Sequence, residues 1–396
     1  MSSIVPRPAS SAQPAQLDTT LSTPRGPLFA RGLWRIAAAD ASSGNRVALL
    51  RDGPRTFERM VDEIRGARRS IDLESYIYRA DDVGRMFARE LCAATQRGVT
   101  VRVLTDGIGA RDTPTRFLRE MREGGITVRI FNPIGIRPWL GLVPRDHRKL
   151  LVVDGSVGIT GGIGIGEEWR DLERRGRKAR WRDTAVHIAG PAARDMERAF
   201  DLMWRRAVGE ERRSSARFLV RPARGAHIDP ATDAGAVVGI IEGEPFRYRI
   251  ARALQIQAVS AERCIWIANA YFVPSAGEIE ALAGAARDGV DVRVLVPSKS
   301  DHPWVRLLTR RHYRRLLRNG VRIWEWKGDM MHAKTQVVDD RWVRVGSTDF
   351  NPLGLAVNYE LDAVIEDATL GKEAAAMFLA DLEESQEIHS ASVGLG

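Results

Sequence analysis

The chain has 396 residues and a mass of 44.0 kDa, of which 44% are hydrophobic and 28% charged. That composition excludes a disordered or fibrous chain, and the length is more than one core usually carries. Sixty basic against 51 acidic residues leave a net charge of +9, which favours an anionic partner, nucleic acid or an acidic membrane surface.

Residues 1–28 are rich in Ser, Pro, Ala and Thr and lack an apolar run, so they read as a flexible tail, neither signal peptide nor anchor. Residues 71–78 form an apolar run that predicts a strand, and Val83, Met86, Phe87 and Leu91 at 3.6-residue spacing predict a helix after it. Gly98-Val-Thr-Val-Arg-Val-Leu104 and Gly125-Ile-Thr-Val-Arg-Ile130 predict two further strands with a second helix between them. The same order recurs at 265–273, at Gly289-Val-Asp-Val-Arg-Val-Leu295 and at Gly320-Val-Arg-Ile-Trp324, with loops of different length. Strand, helix, strand, helix, strand in each half argues an α/β fold with a mixed or mostly parallel sheet. A period of about 190 residues is too long for a solenoid and marks a domain duplication. The expected layout is a tail at 1–28, a first domain at 29–214, a linker at 215–234 and a second domain at 235–396. The longest apolar stretch, about 234–241, is far short of the roughly 20 residues that a transmembrane helix needs.

The repeat carries a motif. His147-Arg-Lys149-Leu-Leu-Val-Val-Asp154 and His332-Ala-Lys334-Thr-Gln-Val-Val-Asp339 both read H-x-K-x-x-x-x-D, in a chain with only six lysines among its sixty basic residues. Residues 150–153 and 335–338 read as strands, and side chains two apart on a strand share a face. Paired cations on such a face need an anion. Two copies brought together put two imidazoles and two ammoniums around one phosphate. One imidazole can attack phosphorus, the other can shuttle the proton of the leaving and entering hydroxyls, and Lys149 and Lys334 can hold the non-bridging oxygens.

The doubled motif, Gly161-Gly162 and Gly346-Ser347-Thr348 resemble the phospholipase D superfamily. The continuation through Asn358-Tyr-Glu360, with Trp181-Arg-Asp183-Thr184 and Pro297-Ser-Lys-Ser-Asp301, resembles its bacterial cardiolipin synthase branch, over about residues 46–391. The resemblance implies two duplicated α-β-α domains packed about a pseudo-twofold axis, with the active site at their interface. It implies His147 as nucleophile and His332 as general acid. Asp154 and Asp339 become structural members of the motifs, Asp183 and Glu360 the acids that orient the histidines, and Gly162 and Ser347 phosphate contacts. It implies transfer of a phosphatidyl group between phospholipids through a covalent phosphohistidine, with anionic lipids such as phosphatidylglycerol as partners. The expected place is the cytoplasmic face of a bacterial membrane, held peripherally. Gly164 and Asp349 depart from the family, which has asparagine at both positions; Asn351 is a candidate substitute.

Three readings stand beside this one: hydrolysis by the same machinery, a nucleic-acid phosphodiesterase, and a catalytically weak lipid binder suggested by Gly164 and Asp349. The low aromatic fraction, 7%, argues against a base-stacking platform and makes nucleic acid the poorer partner. Seven basic residues between positions 170 and 183 read as a solvated loop or as a lipid contact. The arginine-rich segment 306–318 reads as an amphipathic helix with a wet face. The apolar stretch 138–144 before His147 reads as a packed loop or as a lip for acyl chains. Cys92 and Cys264 read as buried apolar residues that exclude a disulfide framework, and no metal-ligand spacing or nucleotide loop occurs, so no cofactor is expected.

Overall fold

The computed structural model describes residues 27–133, 143–170, 172–174, 177–179, 181–209 and 235–389. The expected tail up to residue 26, the expected linker, most of the apolar stretch at 138–144 and the side chains of most of the 170–183 run lie outside the described residues. The first half contains α1 (Pro27–Ala37), β1 (Asp40–Arg51), α2 (Asp52–Gly66), β2 (Ser70–Ser75), α3 (Asp82–Gln96), β3 (Thr100–Asp106), α4 (Thr115–Glu123) and β4 (Thr127–Phe131). It continues with β5 (Lys149–Val153), β6 (Val157–Gly161), β7 (Leu172–Arg174), β8 (Arg177–Ala179), β9 (Trp181–Arg182), β10 (Thr184–Ala189) and α5 (Ala192–Ala207). The second half contains β11 (Ala236–Gly243), α6 (Arg249–Ser260), β12 (Cys264–Asn269), α7 (Ala276–Arg287), β13 (Asp291–Pro297), α8 (Pro303–Arg318) and β14 (Arg322–Trp326). It closes with β15 (Met330–Met331), β16 (Lys334–Val338), β17 (Trp342–Gly346), β18 (Glu360–Glu366), α9 (Ala368–Glu383) and β19 (Ser385–Ile388).

Local chemistry sets these boundaries. Asp81 caps α3 by accepting the Gly84 amide at 2.9 Å, and Asp367 caps α9 by accepting that of Leu370 at 2.7 Å. Gly98, Gly125, Gly289 and Gly320 follow helices at φ of 86°, 90°, 93° and 90°, the left-handed position in which a helix turns into the next strand. The Gly-Val and Gly-Ile pairs of the sequence repeat are therefore helix ends leading into buried strands.

The two halves share one 15-stranded sheet. Its order is β4-β3-β2-β5-β6-β10-β1 in the first half and β11-β18-β17-β16-β12-β13-β14-β19 in the second, joined by antiparallel pairing of β1 with β11. Within this sheet, parallel ladders are confined to β2-β3-β4 and β12-β13-β14, so the mostly parallel alternative is corrected: the sheet is mixed and chiefly antiparallel, and β9 pairs in parallel with β15 in a separate two-stranded sheet. The reason is that each histidine motif enters an antiparallel hairpin, β5-β6 or β16-β17, whose few connecting residues cannot make a parallel crossover.

Packing also crosses the midline. A buried cluster combines Leu150, Val186 and Phe200 of the first half with Val343, Leu361 and Ile365 of the second. The buried Trp34 of α1 lies with its ring 5.7 Å from that of Trp342, so the N-terminal helix packs into the core of the second half. Buried Arg182 reaches across to Asp381 on α9, with Nη2 at 2.7 Å and Nε at 2.9 Å, and its Nη1 lies 3.3 Å from Asp52. Removing that guanidinium leaves the two buried carboxylates to the half-exposed Arg51 alone among the described cations, 2.9 Å from Asp381 and 3.9 Å from Asp52. Arg182→Ala is expected to cost about 3–5 kcal/mol of stability, read as a lower midpoint in denaturant unfolding.

Candidate active site

Lys149 and Lys334 are the first residues of β5 and β16, so the histidine two positions earlier is aimed at the same space in each motif. Backbone bonds across the midline hold both histidines. The His147 amide donates to the Tyr359 carbonyl at 2.9 Å, and the His332 amide donates to the Arg182 carbonyl at 2.7 Å. The residue after each of those carbonyls is the carboxylate: Nδ1 of His147 lies 2.9 Å from Glu360, and Nδ1 of His332 lies 2.8 Å from Asp183. The two imidazole–carboxylate pairs are thus exchanged. Each acid orients the histidine of the opposite half, where the sequence pattern placed it downstream of its own.

Both lysines are buried. Lys149 Nζ donates to the His147 carbonyl at 2.6 Å; Lys334 Nζ donates to that of His332 at 2.8 Å and lies 2.9 Å from its Nε2. Tyrosine rings face both ammoniums, Tyr76 at 5.3 Å and Tyr271 at 5.5 Å, and the same rings lie against His147 at 4.9 Å and His332 at 5.8 Å. Sequence reasoning missed these two tyrosines. The available signal was their place just beyond the repeated strands β2 and β12. His332 also meets the rings of Trp169 and Trp181 at 5.7 and 5.3 Å, and Trp169 Nε1 donates to Asp183 at 2.8 Å.

The terminal aspartate of each motif sits away from the chemistry, at the hairpin turn. Asp154 and Asp339 both have φ of 54°, a left-handed conformation that aspartate tolerates. Asp154 accepts the amides of Arg68, Arg69 and Ser70 at 3.0, 2.7 and 2.9 Å. Asp339 accepts those of Glu262, Arg263 and Cys264 at 3.1, 2.7 and 3.0 Å. Each carboxylate therefore ties the motif hairpin to the strand beside it.

Gly162 and Ser347 do not fit the expected role as phosphate contacts, because their donors are already used. Their amides donate to the Thr184 and Leu361 carbonyls, both at 3.1 Å, and the Ser347 hydroxyl donates to Glu360. A Cβ at Gly162 would lie 2.3 Å from Asp183, so this glycine makes room for the carboxylate that orients His332. Gly164 has a similar steric reason: a Cβ there would meet the Trp169 ring at 2.9 Å, so the indole fills the space that an asparagine would need. Asp349 is buried 3.5 Å from Lys334, and its Oδ1 has no hydrogen-bond partner among the described residues. Asn351 does not substitute for a site amide, since its side chain donates to the Tyr271 carbonyl and accepts the Leu353 and Gly354 amides.

Electrostatics divides the labour. Burial, and next the Lys149 charge, hold the His147 imidazole well below its ordinary value; burial and Lys334 do the same for His332. Burial pushes Asp183 up to about 6 and Glu360 up to about 8. Near neutral pH, Asp183 is ionised and accepts the Nδ1 proton of His332, and both imidazoles are uncharged in the empty site. Glu360 and His147 share a proton that leaves Nε2 free when it lies on Nδ1, and the charge of an entering phosphodiester favours a further proton on His332. Burial lowers Lys149 to about 8, and burial raises the Asp349 carboxyl. Two polarised imidazoles and two cations in one enclosure can perform phosphoryl substitution without drawing on another group. Among the described residues, no three His, Cys, Asp or Glu side chains are grouped to hold a metal ion.

The family model described as cardiolipin synthase, phospholipase D-like domain, matches residues 60–204 and 255–382. The major cardiolipin synthase of Bacillus subtilis (strain 168) is 32% identical over 345 residues, which cover 87% of this chain and 70% of that protein. A cardiolipin synthase of Alkalihalophilus pseudofirmus is 30% identical, covering 91% of this chain and 71% of its own length. Among solved structures, phosphatidylserine synthase from Haemophilus influenzae Rd KW20 superposes with a TM-score of 0.67 at 14% identity, over 86% of this chain and 87% of its own. Polyphosphate kinase from Porphyromonas gingivalis gives a TM-score of 0.60 at 15% identity, over 98% of this chain and 53% of its own. At these identities the two structures are evidence of a shared fold alone.

The proton balance predicts a bell-shaped pH profile of kcat/KM on a soluble phosphodiester. Activity rises as Asp183 ionises at about 6 and falls as Lys149 loses its proton at about 8. Lys149→Arg keeps its charge throughout and is expected to move the alkaline limb upward. An unchanged alkaline limb would remove Lys149 from that role.

Proposed function

The chain belongs to the cardiolipin synthase family with phospholipase D-like domains, a family of phosphatidyltransferases, and from that premise we propose that it makes cardiolipin at a membrane surface from phosphatidylglycerol. The observation that carries this reading is the exchanged pair of imidazole–carboxylate bonds, which brings both motifs to one enclosure.

In the first step the Nε2 lone pair of His147 forms a P–N bond as the P–O bond to the leaving glycerol breaks, and His332 gives its proton to the departing oxygen. In the second step the glycerol hydroxyl of another phosphatidylglycerol gives its proton to His332 and forms a P–O bond as the P–N bond breaks. The products are cardiolipin and glycerol. His147 suits the attack because its side chain is the more open of the two, at 12% exposure against 5%, while Nε2 of His332 is held by Lys334. Lys149 and Lys334, already desolvated, take the charge on the non-bridging oxygens. Water as acceptor would give phosphatidic acid by the same steps; the described tyrosine and tryptophan rings around the enclosure favour a lipid alcohol over free water.

The test is purified protein with phosphatidylglycerol vesicles. Cardiolipin and glycerol should form in equal amounts, and His147→Ala should lower turnover by about a thousandfold or more. Labelled donor should leave acid-labile phosphate on wild type and on His332→Ala, but not on His147→Ala. Phosphatidic acid as sole product would sink the transferase reading, and label retained on His147→Ala would exchange the two histidine roles.

A further inference from the structure

Helix α8 is the amphipathic helix that the sequence pattern predicts, and its outer face is not wholly polar. Val305, Thr309, Tyr313 and Leu316 are buried against the fold. The opposite stripe is Trp304, Leu307, Arg311, Arg314 and Arg318, at steps of three and four residues, and all five are exposed. Trp304 is 58% exposed and Leu307 is 68% exposed, an unusual placement for a tryptophan and a leucine one turn apart. Arg310 and Arg315 are held by Glu325 and Glu280, but among the described residues no acidic group lies within ion-pair distance of Arg311, Arg314 or Arg318.

The apolar end of this stripe lies near the enclosure. The Trp304 ring is 6.3 Å from His302, His302 is 5.8 Å from Tyr271, and Tyr271 is 5.8 Å from His332. On the other side of Tyr271, Asn351 binds its carbonyl and positions Leu353, which is 40% exposed. Phe246, 69% exposed, donates its amide to Ala356 in the same turn.

We propose that the outer face of α8 docks the enzyme on an anionic phospholipid bilayer, with Trp304 and Leu307 entering the headgroup–acyl boundary beside the site and Arg311, Arg314 and Arg318 contacting lipid phosphates. The inference deepens the lipid reading above and rests on it. Charge complementarity selects the occupant: three guanidiniums with no acidic partner among the described residues match an anionic surface, and the adjoining apolar side chains match hydrocarbon. A nucleic-acid backbone would satisfy the arginines but would offer Leu307 nothing. Docking here brings the bilayer edge to Tyr271, so a headgroup can enter the enclosure while its acyl chains stay in the membrane. The wet face expected for this segment is therefore a membrane face.

Co-sedimentation with vesicles of phosphatidylglycerol and phosphatidylcholine, alongside turnover of dispersed dihexanoyl phosphatidylglycerol, tests the proposal. Wild type should partition onto the anionic vesicles and be released by salt. R311E/R314E/R318E should lower the partition coefficient by about a hundredfold or more, and W304S/L307S by about tenfold or more. Both variants should lower turnover on vesicles relative to turnover on the dispersed lipid, a ratio that a general folding defect does not change. Wild-type partition in both variants overturns the proposal. So does loss in the arginine variant alone with equal loss of single-stranded DNA binding, which would give the face to nucleic acid. If no cardiolipin forms from either lipid form, the transferase reading fails, while partition still decides the role of α8.

Discussion

The site depends on a bond that neither half can make alone. Each histidine receives its carboxylate from the other half, and each hangs by its backbone amide from the carbonyl just before that carboxylate. One short segment thus supplies two contacts to the opposite motif, a main-chain acceptor and a side-chain acceptor in succession. Because the arrangement occurs twice with the halves exchanged, a shift of one half would loosen both imidazoles together. Catalytic geometry and domain docking are therefore the same physical event in this fold.

The rest of the architecture holds that event rigid. Pairing of β1 with β11 makes the midline part of one sheet, and the cluster containing Phe200 and Leu361 makes it part of one core. Arg182 adds a buried ion pair in the strand residue that also holds His332. Burial has an electrostatic consequence as well. It disfavours free charge on His147, His332, Lys149, Asp183 and Glu360, so Lys149 and Glu360 are brought toward the same range and protons can redistribute among neighbours when a phosphodiester enters.

The departures from the family pattern at Gly164 and Asp349 have unequal physical weight. At Gly164 the Trp169 ring takes the space and gives Asp183 a hydrogen bond, so the change is compensated by a neighbour that also packs on His332. Asp349 remains a buried acid beside Lys334, and burial raises its pKa. Lys334 and His147 oppose that rise, so this position, unlike Gly164, has no neighbour that replaces the amide.

The duplication, the α/β order and the H-x-K-x-x-x-x-D elements were legible in the sequence, because each is a local pattern set by periodicity or spacing along one strand. The separate places of His, Lys and the terminal Asp follow from the same locality: two share a strand face, and the third stands at the turn. What required tertiary structure was every relation across the midline. The exchange of Asp183 and Glu360, the tyrosine and tryptophan rings around the imidazoles, the spent donors of Gly162 and Ser347, and the exposure of Trp304 and Leu307 depend on groups far apart in the chain. A sequence records which residues are spaced to share a face; only packing decides what that face meets.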